Sequence, residues 1–547
     1  MNQLANNAGG AGELGASPNR RLAFAVLLVA AGLLAYENSM SGVFAFDDIP
    51  CIVNNESLRS LGDTWTAGPD EIPGGLNRRV VGRWTFALNF AAGGLDVWGY
   101  HLVNIVIHVA AALLLMGIVR RVLLLPRMPD SLREQAAVLA FCSALLWLVH
   151  PIQTESVTYI VQRLESMMGM FFLASIYAIL RSSENRPVIW QTLAVIAGWL
   201  CIGTKEVGLM LPLVALLFDR VFLAGSWKDV VLRRGLVHAL LLTAMLSYFV
   251  VGIGSVPLHV ERPVNSNVAM ERASSWEFLR TQPGVLLHYL KTTFWPQNLC
   301  LELDWPIARG AFEIYGKGAV IVAALVTGFV LLRSRPAVGF LIVTFFLILA
   351  PSSTIVPLYL AFEHRMYLSL AFISIGVVMS IYWCGLRLSQ RFGAGDLGRN
   401  GTLGVLLFSV PVAILLIVLT RQHNETYQSS LSVWQNVVRV APHNVRARMN
   451  LGVYLGRAGR YEEAESQFRV ALEQLPTYDA CWYNLGLDLH RDRKMPERAV
   501  EAFEKAVELK PDEMLYQFAL AAALEDSGEI EVAEASYRRC LEVLSDE

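Results

Sequence analysis

Long apolar runs, separated by short polar stretches, fill the first four-fifths of the chain. Runs long enough to cross a bilayer recur from about residue 21 to residue 420. They predict about eleven spanning helices, at about 22–36, 101–119, 134–149, 163–181, 188–203, 206–222, 233–252, 317–333, 337–351, 366–386 and 402–420. Arginines gather in alternate short loops. Arg20 and Arg21 precede the first run, and Arg120, Arg121, Arg127 and Arg133 follow the second. Arg181 and Arg186 follow the fourth, Arg220, Arg233 and Arg234 the sixth, Arg333 and Arg335 the eighth, and Arg387, Arg391 and Arg399 the tenth. With these loops cytoplasmic, as the positive-inside bias requires, residues 1–20 are a cytoplasmic tail and everything after about 421 lies outside. Residues 284–300 are also apolar but carry Lys291, Trp295 and Pro296. They read as an interfacial or re-entrant helix, because a further span would place Arg333 and Arg335 outside.

The polar residues at the run ends follow the same alternation. Asp47, Asp48, Arg79, His101, His150, Glu155, Arg163, Lys205, Glu206, Asp304, Glu363, His364 and Arg365 all fall on the face opposite the arginine loops. Charged groups at membrane depth are costly and tend to mark function. Their convergence on one face predicts a single external site. Two long external loops flank it, at about 37–100 and 253–316. The first carries glycine- and proline-rich turns at 67–69 and 73–75.

Composition narrows the class. The 547 residues are 54% hydrophobic with a net charge of −2, and mean hydropathy is +0.44. The charge is unevenly placed: from Pro442 onward about 13 basic residues face about 21 acidic ones, so the membrane part is basic. No basic patch interleaved with aromatics argues for nucleic acid. Seven cysteines lie far apart with no C-x-x-C pair. Cys481 and Cys540 are a conceivable disulfide, which helical repeats seldom need. No small-residue cleavage site follows the first apolar run, so it reads as a retained anchor.

The tail repeats itself. Asn450-Leu451-Gly452 recurs as Asn484-Leu485-Gly486. Ala464, Phe468, Ala471 and Pro476 recur as Ala499, Phe503, Ala506 and Pro511, and a third copy shows Gly528, Ala533, Tyr537 and Leu541. A period of about 34 residues with alternating small and large positions is that of tetratricopeptide repeats. About three repeats over 443–547, after a linker at 422–442, make a short solenoid with a groove.

Each external residue has a bland and a sharp reading. Asp47-Asp48 is either a solvated pair or a site in which repulsion raises one pKa and frees a general base, or holds a divalent cation. Arg79, Arg83, Arg163 and Arg365 are either interfacial anchors or forked ligands for phosphate. Arg163, at the outer start of an apolar helix beside Gln162 and Glu165, is the most telling. His101, Asn104 and His108 share one helix face and should face the bundle, with interhelical hydrogen bonding as the simpler role. His150 and Glu155 have the look of a metal pair, which Pro151 disfavours geometrically. Lys205 and Glu206 read as a self-neutralising pair in a tight hairpin.

Taken in order, these motifs resemble one family. They are F-D-D at 46–48, R-x(5)-T-F-x-L-N at 79–89, G-Y-H-L-V-N-x-x-x-H at 99–108, H-P-I-Q-T-E-S-V at 150–157, Q-R-x-E-S at 162–166, G-T-K-E at 203–206, E-H-R-M-Y-L at 363–368, and Arg421 with Asn424, Thr426 and Tyr427. Followed by the repeats, they are similar to the transmembrane and tetratricopeptide repeat-containing O-mannosyltransferases and their bacterial relatives, within the C-type glycosyltransferases. The resemblance covers nearly the whole chain. It implies an all-α fold: a polytopic helical bundle at 21–421 carrying the transferase, then the repeat solenoid. It also implies a lipid-phosphate-linked sugar as donor, inversion at the sugar carbon, and an acidic base in the first external loop, which falls on Asp47 or Asp48. Adjacent residues point different ways, so one of the two meets the acceptor, with a slight preference for Asp48. Arg163, His364 and Arg365, with Arg79, would hold the donor phosphate, and His101, His150, Glu155, Lys205, Glu206 and Glu363 would support them. Eukaryotic members carry R-P-L where this chain has Arg79-Val80-Val81.

The compact loops look bacterial. The leading expectation is then an inner-membrane glycosyltransferase using a polyprenyl-phosphate sugar and modifying a periplasmic protein hydroxyl, with the acceptor docked by the repeats. The alternatives are an enzyme acting on envelope glycan or lipid, and a non-catalytic membrane scaffold, which leaves the converging charges unexplained. A transporter would line both leaflets with its charges rather than one face.

Overall fold

The structure, a computed structural model, describes residues 18–66, 76, 79–253, 274–354, 359–392 and 397–546. The expected turns at 67–69 and 73–75 and most of the N-terminal tail lie outside them. The described chain is helical, in two units. The first takes residues up to 253, 274–299 and 306–428, and the second takes 300–305 and 429–546.

The first unit runs α1 (Pro18–Tyr36), α2 (Leu61–Thr66), α3 (Val80–Gly93), α4 (Val97–Leu123), α5 (Asp130–Leu148), α6 (Thr154–Val157), α7 (Arg163–Ser182) and α8 (Pro187–Ile202). It continues through α9 (Leu211–Phe218), α10 (Trp227–Ile253), α11 (Ser275–Phe294), α12 (Lys317–Ser334), α13 (Pro336–Leu349), α14 (Met366–Arg391) and α15 (Leu397–Asn424). Among the described residues, eight helical segments, containing α1, α4, α5, α7, α10, α12, α14 and α15, are long and apolar enough to cross a membrane; α8 and α13 are apolar but shorter. The chain is thus a multi-pass membrane protein.

The run expected to span at 206–222 is broken. It is a 3-10 turn, Glu206–Met210, then the eight-residue α9 and a wide turn, Asp219–Leu223. A buried cluster fixes the break: Arg234 donates to both Asp219 oxygens at 2.7 and 2.6 Å, and His238 meets Asp219 at 2.8 Å. Helix α10 kinks at Arg234, whose φ is −138°. The ambiguous 284–300 segment belongs mainly to α11. That helix opens on a capping box between Ser274 and Glu277, contains Pro283, and ends at Phe294. It is not among the helices apolar enough to cross.

Inside the bundle, lipid-like side chains gain little from meeting one another, so packing and interhelical hydrogen bonds carry the association. His108 joins the Tyr367 hydroxyl and the Leu148 carbonyl, each at 2.9 Å. Trp147 Nε1 donates to the Tyr367 carbonyl at 2.8 Å. Of the α4 polar stripe, Asn104 and His108 make such bonds, Asn104 through the carbonyls of Val157 and Ile160.

The second unit contains α16 (Ser430–Val440), α17 (Val445–Arg457), α18 (Tyr461–Gln474), α19 (Asp479–Leu487), α20 (Pro496–Leu509), α21 (Met514–Ser527) and α22 (Ile530–Asp546). The expected linker at 422–442 is therefore mostly helix. Ser429 and Ser432 cap α16 reciprocally, and Val433, Trp434 and Val437 are buried on one face. That stripe lies outside the repeat period, so the period did not reveal it. The repeat glycines permit close approach. A Cβ on Gly452 would lie 2.7 Å from Phe468, and one on Gly486 2.5 Å from Phe503. The second repeat is one residue longer between glycine and alanine, and a wide turn at Asp488–Asp492 absorbs it. In the third repeat Leu541 is 65% exposed and Cys540 fills the interior instead. Cys481 and Cys540 are both free thiols. Residues 300–305 fold with this unit: Glu302 and Arg446 form a buried ion pair at 2.6 Å.

Candidate active site

Helix ends and the turns between them deliver the polar motifs, and long-range hydrogen bonds join them. The loop after α1 carries Phe46-Asp47-Asp48. Phe46 holds φ +47°, a left-handed conformation uncommon for a bulky residue. The turn closes through Asp48 N to the Ala45 carbonyl at 2.9 Å and Ile49 N to the Phe46 carbonyl at 3.1 Å. It sends the two carboxylates apart. Asp48 is fully buried, and its oxygens accept from Ala45 N at 3.0 Å and Val161 N at 2.6 Å. Burial pushes its carboxyl well above the usual range. Asp47 is exposed. Its own amide donates to the Tyr159 hydroxyl at 2.8 Å. Local backbone strain of this kind gathers at functional sites.

The 150–163 segment is the hub. His150 Nε2 meets the Thr293 carbonyl of α11 at 2.9 Å, and its Nδ1 accepts from Ile152 N at 3.2 Å. Burial lowers His150 to about 4, so it stays neutral. Glu155 accepts from the amide of His364 and faces its Nδ1, both at 2.7 Å. His150 and Glu155 thus serve separate partners rather than one metal. Further along, Thr158 reaches Asn424 Oδ1 at 2.8 Å, and Asn424 in turn holds the Ala35 carbonyl at 2.9 Å. Asn424, the last residue of α15, therefore closes the ring back to α1.

Two expectations for the charged groups change. Lys205 and Glu206 do not neutralise each other. Lys205 pairs with Glu165 at 2.7 Å and Gln162 at 3.0 Å, while Glu206 takes a two-pronged bond from Arg79 at 3.1 and 3.0 Å. The extended backbone at Lys205 sends consecutive side chains to different neighbours. Arg79 is thereby committed to Glu206 rather than open to a phosphate. The start of α3 is also fastened there, through Val81 N to the Gly203 carbonyl at 3.1 Å.

The larger change concerns Arg163 and Arg365. Arg163 is fully buried, and all three of its nitrogens donate: to Asn104 Oδ1 at 2.6 Å, the Thr85 carbonyl at 3.2 Å and the Tyr100 carbonyl at 3.0 Å. Its guanidinium lies 4.6 Å from the Phe86 ring centre and 5.6 Å from that of Tyr100. It staples α3, α4 and α7 together, with each of its three nitrogens bonded inside the bundle. Arg365 likewise donates to the carbonyls of Tyr359 and Leu360, at 2.7 and 3.2 Å. His364 stacks on Phe362, and Glu363 and His101 are buried. Tyr159 and Thr158 were missed in the sequence. Their only signal was a polar–aromatic stretch just ahead of an apolar run.

Glu155 offers a pH test. Burial raises its carboxyl from 4.5 to about 8. A folded-state pKa above the unfolded one adds stability below the unfolded value and loses it as pH rises through the folded value. Wild-type melting temperature is expected to fall relative to Glu155→Gln between about pH 5 and pH 9. Parallel melting curves across that range would contradict the shift.

Two apolar grooves lie beside these helices. One of about 290 Å³ is lined by Leu279, Pro283, Leu286, Ile321 and Val343 and reaches Ser353 and Thr354. Another of about 700 Å³ runs between α12, α13 and α14 past Phe345 and Phe372.

The tetratricopeptide-repeat family pattern matches residues 419–479 and 483–542. Human protein O-mannosyl-transferase TMTC1 is 24% identical over 521 residues, covering 84% of this chain and 56% of the relative. Drosophila melanogaster protein O-mannosyl-transferase Tmtc3 is also 24% identical, covering 90% of this chain and 60% of its own. The chain thus spans a little over half the length of these curated relatives. A crystal structure of ArnT from Cupriavidus metallidurans, bound to undecaprenyl phosphate, aligns over 88% of this chain and 79% of that one, at 16% identity and a TM-score of 0.38. With its apolar helices, its repeats and sequence similarity along most of its length, this chain is similar to proteins named O-mannosyl-transferases that share its repeat-bearing tail.

Proposed function

We propose that this protein is a membrane glycosyltransferase. It transfers a sugar from a polyprenyl-phosphate donor to a protein hydroxyl on the external, periplasmic face. The observation that carries this reading is the exposed Asp47 on a strained turn, held by Tyr159 and flanked by the buried Asp48. Asp47 removes the acceptor proton as its oxygen attacks the sugar carbon, and the bond to the donor phosphate breaks. Asp48 is a positioning residue that fixes the turn through two backbone amides. The apolar grooves suit an isoprenoid chain. The similarity to proteins named O-mannosyl-transferases favours mannose among the candidate sugars and protein among the acceptors.

The test is transfer by the purified full-length chain in nanodiscs, given a polyprenyl-phosphate sugar and periplasmic protein extract. The expected result is a hydroxyl-linked sugar of inverted configuration. Labelled sugar appearing only in glycan or lipid would replace this reading with the envelope-glycan one. No transfer, with no change in glycoproteins of a deletion strain, would favour the scaffold.

The repeats are assigned to acceptor recruitment, since a groove without an acid–base set suits peptide binding. Removing residues 443–547, with Glu302→Gln to spare the uncovered carboxylate, is expected to lower modification of a protein acceptor. Transfer to a short hydroxyl surrogate should persist. Equal loss of both would place the repeats within the chemistry.

A further inference from the structure

Lipid-phosphate transfer requires a cation for the leaving phosphate. Three of the four arginines read above as phosphate ligands already hold protein partners: Arg79 holds Glu206, Arg163 holds Asn104 and two carbonyls, and Arg365 holds loop carbonyls. The fourth is Arg83. It stands on α3, one turn after Arg79, and is 4% exposed. Its Nε and Nη1 are buried and make no hydrogen bond among the described residues. Burial alone lowers its pKa, with no carboxylate offsetting the effect.

A buried, unpaired guanidinium is strongly unfavourable, and a fold retains one where an anion completes it. The helix that carries Arg83 is not free to swing it into solvent. Its start is fixed to Gly203 and Glu206, and Gly82 lies so close to Leu164 that a Cβ would come within 2.0 Å of that side chain. Arg163 then holds the Thr85 carbonyl. Two turns further along the same face, Phe90 carries a second guanidinium, Arg59, at 4.3 Å, whose Nη1 is also buried without a partner among the described residues.

Resting on the proposed lipid-phosphate donor, we infer that Arg83 binds the phosphate of that donor, with α3 as its rigid mount. The Arg83 fork takes two phosphate oxygens, and the negative charge left when the sugar departs is neutralised there. Arg163 is one layer behind, keeping α3 in place.

The test is binding rather than turnover, so that it can fail separately from the transferase reading. Full-length protein in nanodiscs is titrated with a short prenyl phosphate, the matching uncharged prenol, phosphatidic acid and inorganic phosphate. Wild type is expected to bind the prenyl phosphate, and Arg83→Met to weaken that binding by about 10- to 100-fold. Arg83→Lys should fall between, because it keeps the charge and loses the fork. Without ligand, Arg83→Met should melt at or above the wild-type temperature, since it removes an unpaired buried charge. Unchanged prenyl phosphate binding in Arg83→Met would overturn the inference. So would equal weakening for the prenol, an effect confined to phosphatidic acid or inorganic phosphate, or a marked fall in ligand-free melting temperature. If wild type binds prenyl phosphate through Arg83 yet transfers no sugar, the site stands and the transferase reading falls.

Discussion

Asp47→Asn is expected to lower sugar transfer by about 10²–10⁴-fold, the usual scale for losing a general base, while leaving melting temperature unchanged. The side chain is exposed, and Asn keeps its size while removing its proton affinity. Asp48→Asn is expected to behave differently. Its carboxylate accepts two backbone amides in a fully buried site, and Asn presents an NH₂ to one of them. A loss of about 1–3 kcal/mol in stability should follow, with transfer falling in step with folded protein. Transfer per folded molecule, measured at matched membrane abundance, separates the two roles. An active Asp47→Asn beside a well-folded but inactive Asp48→Asn would exchange them. Near-normal turnover in both would remove the base from this loop.

Arg163→Met should be the more damaging change to the fold. It leaves Asn104 Oδ1 and the Thr85 and Tyr100 carbonyls without their donor in a fully buried position. Each buried orphan costs about 1–3 kcal/mol, so a loss of about 3 kcal/mol or more is expected, read as a lower melting temperature and poor recovery from membranes. Arg163→Lys recovers little of it, because one ammonium cannot reach three acceptors set in a plane. Prenyl phosphate affinity of the molecules that remain folded should stay close to wild type. A melting temperature like wild type with affinity abolished would return Arg163 to the donor phosphate.

The contrast between Arg163 and Arg83 shows how far the site could be read from the chain. Both are arginines near the ends of apolar runs, and that type and place point to a phosphate ligand. Arg163 looked the stronger because it opens an apolar helix. Its partners, however, lie on α3 and α4, from 59 to 78 residues away in sequence. No local pattern announces that three acceptors will converge on one guanidinium. The Lys205–Glu206 pair failed for a related reason. Adjacent in sequence, the two side chains are not partners in space: an extended backbone turns them toward Glu165 and Arg79.

By itself the sequence determined most of the long helices and the repeats. Those follow from hydrophobic run length and the 34-residue period, both of which act locally or along the chain. Even there, α16 escaped, because its apolar face lies outside the period, and the run at 206–222 broke at a buried Asp219 that hydropathy averages away. Only the tertiary structure decided which carboxylate is exposed and which guanidinium lacks a partner. Those outcomes depend on where donors and acceptors from distant helices come within about 3 Å of each other. A residue's chemistry is written in its type; whether that chemistry is still available depends on what the fold has already bonded to it.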